Sequence, residues 1–340
     1  MVSVLPSGLG TTGITHGGPS VTEAAWSADG VVVYARRYEQ TGAGGKATGH
    51  VGVFTLAPGG KPRLIRSCPL NCWASSFAWS PDGRRIAFLT DIRSHFTGYA
   101  AEIAVMNADG SGLHVICTET TCGQGLAEPV WSPDGSRLLF SNAGVAGFPG
   151  VGLLPSGIRV ADANGGGIHK LTQPGCRPGK LPLVGCFFDS GATWSPDGRW
   201  ISFVRRGSIP IHGHAHPTSI ELMAADGSHL HALASCTDVW CALGSPVWSP
   251  DGARLAVGPW KDEGAQIVVL TLNGGRQVVR TCSGAHCASP EQIAWAPDGS
   301  RLGFISEARD SNAYVIDADG GGMHVIGRHV QCCLAWLPAP

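Results

Sequence analysis

The chain has 340 residues, a net charge of −1 and 14% charged residues, against about 25% in an average domain. No basic block exceeds two residues (Arg36-Arg37, Arg84-Arg85, Arg205-Arg206), so no phosphate-neutralising face for nucleic acid is expected. No apolar run approaches the ~18 residues of a membrane-spanning helix.

Taken in chain order, the sequence is punctuated by one pentapeptide. It opens as Trp26-Ser27-Ala28-Asp29-Gly30 and stands intact as Trp-Ser-Pro-Asp-Gly from Trp79, Trp131, Trp194 and Trp248. It returns as Trp295-Ala296-Pro297-Asp298-Gly299 and ends worn, at Leu334-Ala335-Trp336-Leu337-Pro338. An interval of about fifty residues means a repeated supersecondary unit. Pro presets the second position of a type I turn, Asp suits the third, and Gly supplies the left-handed residue that follows. The pentapeptide therefore reads as a tight hairpin turn with strands on either side. The tryptophans Trp26, Trp79, Trp131, Trp194, Trp248, Trp295 and Trp336 are expected to pack between neighbouring units. Ligand stacking is the alternative role.

Each unit reads as four strands, A to D. After Trp79 come strand B at Arg85–Leu89, strand C at Glu102–Met106, an Asp109-Gly110 turn and strand D at Leu113–Cys117. The third unit repeats this with Gly157–Ala161 and Ile168–Leu171, the fourth with Ile220–Met223 and Leu230–Leu233, and the sixth with Ala313–Ile316 and Met323–Ile326. Asp-Gly and Asn-Gly between such runs are hairpin signals, and helical periodicity is absent. The sequence predicts an all-β chain, a single β-propeller domain of four-stranded blades over residues 1–340.

The Trp-Ser-Pro-Asp-Gly-x-x-Ile-Ala-Phe pattern, followed by an Ala-Asp-Gly turn, resembles the TolB-type (WD40-like) propeller repeat across essentially the whole chain. The resemblance implies a propeller that engages protein partners at a ring face or channel mouth. Some propellers of this broad type are metal-dependent lyases acting on acidic sugars. Fold alone does not assign a function.

Seven blades are expected, with six as the alternative. The closing blade would draw on both termini, about 1–20 and 331–340: Val2–Leu5 as strand C, Gly8–Thr15 as strand D and Cys333–Leu337 as strand A. A strand B is missing from this blade, and so is an export signal. The two absences are read as one segment upstream of Met1.

Twelve cysteines fall as Cys68/Cys72, Cys117/Cys122, Cys176/Cys186, Cys236/Cys241, Cys282/Cys287 and Cys332/Cys333, each pair between strand D of one unit and strand A of the next. An even count with local pairing points to loop-closing disulfides and an extracellular, periplasmic or cell-envelope location. Each small loop would contribute roughly 2 kcal/mol. Zinc is the rival, but it needs about four converging ligands, and these pairs are spread around a ring. The adjacent Cys332-Cys333 could instead reach another loop or a partner, or stay reduced.

The B–C and D–A loops share one end of the blades, and the pentapeptide turns lie at the other. The fourth B–C loop carries His212, His214 and His216, alternating imidazoles able to present to one divalent metal. The alternative is a polar surface loop. No acidic residue in that loop completes a ligand set, and Asp91 and His95 lie in the second blade's loop. His114, His169, His231 and His324 share one position early in strand D and read as structural. The motif aspartates read as turn residues. There is no Gly-x-Ser-x-Gly elbow, Walker loop, dinucleotide fingerprint or His-Glu-x-x-His, and the length leaves no room for a hydrolase domain beside the repeats. The expected function is a non-catalytic, monomeric binding or scaffold propeller whose partner is protein, with saccharide or peptide as other ligands. The alternative is a metal-dependent propeller lyase or hydrolase acting on saccharides through the histidine cluster.

Overall fold

In a computed structural model, the described residues are 2–4, 11–13, 24–41, 47–68, 73–90, 101–123, 125–142, 157–173, 187–207, 218–236, 243–261, 265–282, 290–306, 312–328, 330 and 334–336. They begin with two short strands, β1 (Val2–Val4) and β2 (Thr11–Gly13). Six four-stranded sheets follow, each a blade whose strands are neighbours in sequence order. The first holds β3 (Ala24–Trp26), β4 (Val32–Thr41), β5 (Ala47–Leu56) and β6 (Arg63–Cys68). The second holds β7 (Ala74–Trp79), β8 (Arg85–Thr90), β9 (Glu102–Asn107) and β10 (His114–Thr118). The third holds β11 (Leu126–Trp131), β12 (Arg137–Asn142), β13 (Ile158–Asp162) and β14 (His169–Lys170). The fourth holds β15 (Phe187–Trp194), β16 (Trp200–Gly207), β17 (Thr218–Ala224) and β18 (His231–Cys236). The fifth holds β19 (Val247–Trp248), β20 (Arg254–Lys261), β21 (Ala265–Thr271) and β22 (Arg276–Cys282). The sixth holds β23 (Pro290–Trp295), β24 (Arg301–Ser306), β25 (Asn312–Asp317) and β26 (His324–Gly327).

Among the described residues there are six four-stranded blades, the smaller of the two counts expected. The terminal segments instead make a three-stranded sheet: β1 pairs antiparallel with β2 and parallel with β27 (Leu334–Trp336). Strands A and C of a blade run the same way, so when they become direct neighbours they can pair only in parallel.

One short helix departs from the all-strand expectation. It is α1 (Glu119–Cys122), within a cysteine loop, and Thr118 and Thr121 form a reciprocal capping box at its start. It lies inside the loop closed by the Cys117–Cys122 disulfide.

The chain divides into two compact units: Thr15–Asn142 with Val160–His169, and Met1–Ile14 with Ala143–Arg159 and Lys170–Pro340. In the first, Val33, Ala35 and Val53 of one blade pack against Ile86, Phe88, Ala104 and Met106 of the next. In the second, Ala256, Ile267 and Val269 pack against Leu302, Phe304 and Ile316. Strands B and C are deeply buried: Ile86, Ala87, Leu138 and Leu302 of the former and Ile103, Val105, Ile267 and Val315 of the latter are all at 0% exposure.

The tryptophans join successive blades by a hydrogen bond as well as by packing. The indole N–H of Trp79 donates to the Ala25 carbonyl at 3.2 Å, and that of Trp131 to Ala78 at 3.0 Å. In the other unit, Trp248 donates to Thr193 at 3.4 Å, Trp295 to Val247 at 3.0 Å and Trp336 to Ala294 at 3.1 Å. Each acceptor is the residue just before the preceding blade's tryptophan. An arginine at the start of strand B closes the contact from the far side. Arg85 lies 4.7 Å from the Trp131 ring centroid and donates to Gly135 at 2.7 Å. Arg254 lies 4.7 Å from the Trp295 ring and donates to Gly299 at 2.9 Å.

The C–D turns add a second contact between blades. Gly110 has φ 89°, and a Cβ there would stand 2.0 Å from the Ile65 carbonyl oxygen of the preceding blade. Gly320, with φ 97°, lies against Val279 in the same way, its Cβ position 2.8 Å from that carbonyl. Only glycine meets both demands.

Replacing Trp295 by Phe removes the indole donor and strands the Val247 carbonyl, at a cost of about 2 kcal/mol. Urea unfolding should show this as a lower midpoint with an unchanged slope. A change under about 0.5 kcal/mol would mean the hydrogen bond adds nothing beyond ring packing.

Candidate functional site

Within each blade, the two ends differ in chemistry. At the end bearing the pentapeptide turns, the motif groups are engaged with one another. Ser80 donates its hydroxyl to Asp82 and receives the Arg85 N–H at 2.9 Å, while Asp82 also accepts the Arg84 N–H at 3.1 Å. Gly83, with φ 66°, returns its N–H to the Ser80 carbonyl at 2.9 Å. Ser132–Asp134, Ser195–Asp197 and Ser249–Asp251 repeat the arrangement. Hydrogen bonds to the ionised form hold these carboxyls below their ordinary range. Bonds from Ser132 and then from Ser136 lower Asp134 to about 2, and Asp82, Asp197 and Asp251 shift the same way for the same reason.

The recurrent histidines are equally local. His114, His169, His231 and His324 each place Nδ1 against the carbonyl two residues back, at 3.0, 2.7, 2.7 and 2.8 Å. His114 also reaches the Ala163 carbonyl through Nε2 at 3.2 Å. One ring nitrogen of each is thus committed to the D-strand turn.

The other end, where strand B runs out toward the B–C loop, collects buried polar groups. Its most developed cluster lies in the fourth blade. Asp189 on β15 is 0% exposed and faces Arg205 on β16, its register partner. The guanidinium grips the carboxylate at both oxygens, Nε to Oδ1 at 2.8 Å and the terminal nitrogen to Oδ2 at 2.9 Å. Phe187 and Phe203 flank it, each ring centroid 5.3 Å from the guanidinium carbon. On β17, Glu221 is buried and accepts the Ser219 hydroxyl. The hydrogen bonds that Arg205 donates to Asp189, with further attraction from Asp189 and Glu221, outweigh burial and raise the Arg205 pKa above its ordinary value. Arg206, on the opposite face of β16, donates to the Leu243 carbonyl at 3.0 Å. A bidentate pair of this kind fixes orientation as well as charge.

These groups sit at the root of the loop that carries His212, His214 and His216, since Arg206 and Thr218 form the last register pair before it. The three histidines themselves lie outside the described residues, as do Asp91 and His95. Among the described residues, no group of three or more His, Cys, Asp or Glu is placed to hold a metal.

Of the cysteines, Cys117 and Cys122 are bonded, with Cα atoms 6.0 Å apart, and Cys236 is disulfide-bonded. Cys72, Cys176, Cys186, Cys241, Cys287, Cys332 and Cys333 lie outside the described residues, and the side chains of Cys68 and Cys282 are likewise outside them.

Sequence reasoning passed over the Asp189–Arg205–Glu221 cluster, although a signal existed. Five residues before the motif tryptophan, other blades carry Ala74, Leu126, Leu243 or Pro290 where the fourth has Asp189. A charge at an apolar repeat position marks a local specialisation.

No protein-family model matches the chain. Among curated proteins, the uncharacterized peptidase YuxL of Bacillus subtilis is 38% identical over 61 residues, 18% of this chain and 8% of that protein. The match therefore spans a small fraction of the peptidase's length. Among solved structures, TolB from Acinetobacter baumannii superposes with a TM-score of 0.51 at 17% identity, over 82% of this chain and 59% of that one. An oligogalacturonate lyase in complex with manganese gives a TM-score of 0.61 at 14% identity, over 87% of this chain and 76% of that one. In fold, the chain is a β-propeller similar to that of TolB.

Two outcomes test this description. Asp189→Ala leaves the Arg205 cation buried and unpaired and should cost about 3–5 kcal/mol, whereas the double change Asp189→Leu with Arg205→Met should cost far less. Equal losses would show that the pair does not act as a unit. Second, the depressed carboxyls stabilise the fold fully above the ordinary aspartate pKa, near 4, and the contribution is lost as pH falls through the folded value. Stability should therefore drop between about pH 4 and pH 2, and Asp134→Asn should flatten that drop. An unchanged acid profile would remove the turn carboxylates from the explanation.

Proposed function

We propose that this propeller is a non-catalytic binding or scaffold protein of the cell envelope or exterior, engaging a protein partner through the loop-bearing end of its blades. The observation that carries the reading is the commitment of the repeated titratable groups. The motif aspartates hold their own turns and the recurrent histidines bind adjacent carbonyls, so the groups copied around the fold serve architecture. The disulfide at Cys117–Cys122 supports an oxidising compartment. The likeness to TolB supports a protein partner by analogy.

A second reading has its own support. The lyase neighbour is described as a complex with manganese, and the His212, His214 and His216 loop springs from the strands locked by Asp189 and Arg205. On this reading the three imidazoles hold a divalent metal and the loop end acts on an acidic saccharide.

Two measurements on the purified chain separate these readings. The binding reading expects affinity capture from an envelope extract to return one protein at near-equal stoichiometry, lost when the 208–217 loop is replaced by a Gly-Ser linker. It also expects no bound metal. Stoichiometric manganese or zinc that disappears in the His212→Ala, His214→Ala, His216→Ala variant, with release of unsaturated sugar from oligogalacturonate, would overturn it in favour of the enzyme.

A further inference from the structure

The turn between strands C and D is built alike in five blades, yet its third residue alternates. It is Asp109, Asp226 and Asp319 in the second, fourth and sixth blades, and Asn164 and Asn273 in the third and fifth, each followed by Gly. The side-chain oxygen does the same work in all five, accepting the N–H two residues on. Ser111, Ser228, Gly321 and Gly166 donate at 2.9 Å, and Gly275 donates to Asn273 at 3.4 Å. For the turn itself, amide and carboxylate are interchangeable. Chemically they are not. Asn164 and Asn273 are exposed, and a following Gly, with no Cβ, leaves its backbone nitrogen open to the side-chain amide.

Two contacts set the fifth-blade turn apart from the third. Thr271 donates its hydroxyl to Asn273 Oδ1, whereas the third blade has Asp162 at the Thr271 position, and a carboxylate is an acceptor only. The fifth turn is also held most loosely on the blade before it. A Cβ at Gly274 would stand 3.9 Å from the Leu233 carbonyl oxygen, against 3.6 Å between Gly165 and Val115 and 3.2 Å between Gly227 and Leu171.

We propose that Asn273-Gly274 is a self-modifying site, where the side-chain amide is lost through a succinimide whose closure the Thr271 hydroxyl assists. The Gly274 nitrogen gives its proton to hydroxide from solvent and bonds to Asn273 Cγ. The Thr271 hydroxyl supports the negative charge that builds on Oδ1. The bond from Cγ to the side-chain nitrogen then breaks, and that nitrogen takes a proton from water and leaves as ammonia. Water opens the succinimide at either carbonyl, giving aspartate or isoaspartate. Only water and hydroxide are consumed. Because the Gly274 N–H donates to the Thr271 carbonyl at 3.0 Å, the turn must open before closure, and a loosely held turn opens more often. The aspartate product is the residue that the second, fourth and sixth blades already carry, so the blade keeps its turn and gains a negative charge. The site lies on the C–D turn, away from the loop-bearing end, and stands independently of the binding reading above.

The test ages the purified full chain at mildly alkaline pH and follows it by peptide mapping, which separates the asparagine, aspartate and isoaspartate forms. In the folded chain Asn273 should convert about threefold or more faster than Asn164, while in the urea-unfolded chain the two should convert at similar rates. Thr271→Val should slow conversion at Asn273 by a similar factor and leave Asn164 unchanged. Thr271→Ser, which keeps the hydroxyl, should restore the rate; if the valine variant does not fold, the comparison of Asn273 with Asn164 carries the test. Asn273→Asp should unfold at the same urea midpoint as the parent chain. No conversion at Asn273, equal rates at the two sites in the folded chain, or a rate unaffected by Thr271→Val would overturn the proposal.

Discussion

The structure depends on one repeated contact: an indole N–H reaching back to the backbone of the blade before it. A four-stranded sheet buries one face at a time and cannot stand alone in water, so its stability comes from the neighbour it packs against. The tryptophan supplies the largest apolar body at that junction, and the hydrogen bond fixes its rotation. Because donor and acceptor are separated by about one repeat, the bond also sets the offset between successive blades. The arginine that opens strand B covers the ring and binds the turn carbonyl beneath it. One motif thus contributes a turn, a packing body and a register pin.

This economy has a functional corollary. Groups that chemistry could use, such as aspartate, serine and histidine, are repeated in the sequence but held in turns by their own neighbours. The ends of the strands remote from those turns are where blades differ from one another. In the fourth blade a carboxylate stands at an otherwise apolar repeat position, and its bidentate bond with a guanidinium locks two neighbouring strands together. A rigid sheet carrying a variable loop is a general arrangement for recognition.

Much of this was legible in the sequence. The Trp-Ser-Pro-Asp-Gly turns fell where expected, because Pro and Gly restrict the backbone locally and need no tertiary context. Strand positions were also close: Glu102–Met106 was expected and Glu102–Asn107 is observed. The terminal strands were assigned to the right roles: the closing blade was expected without its strand B, and those strands form a three-stranded sheet beside six four-stranded blades, the smaller of the two counts expected. The arginine contacts were missed although Arg85, Arg137, Arg254 and Arg301 share one motif position, because cation–ring geometry joins residues about fifty apart and leaves no local pattern. The Asp189–Arg205 pair escaped for a related reason. Its partners lie on different strands, and only register brings them together. The helix at Glu119–Cys122 is too short for periodicity to reveal.

The account stands most directly on the indole contacts, and exchange of the indole protons reads them one by one. In a spectrum of the nitrogen-15-labelled chain, the indole N–H groups of Trp79, Trp131, Trp248 and Trp295 should exchange slowly and share one rate regime, set by opening of the blade junction. Rapid exchange at these four positions in the folded protein, comparable to free tryptophan, would contradict the claim that they join the blades.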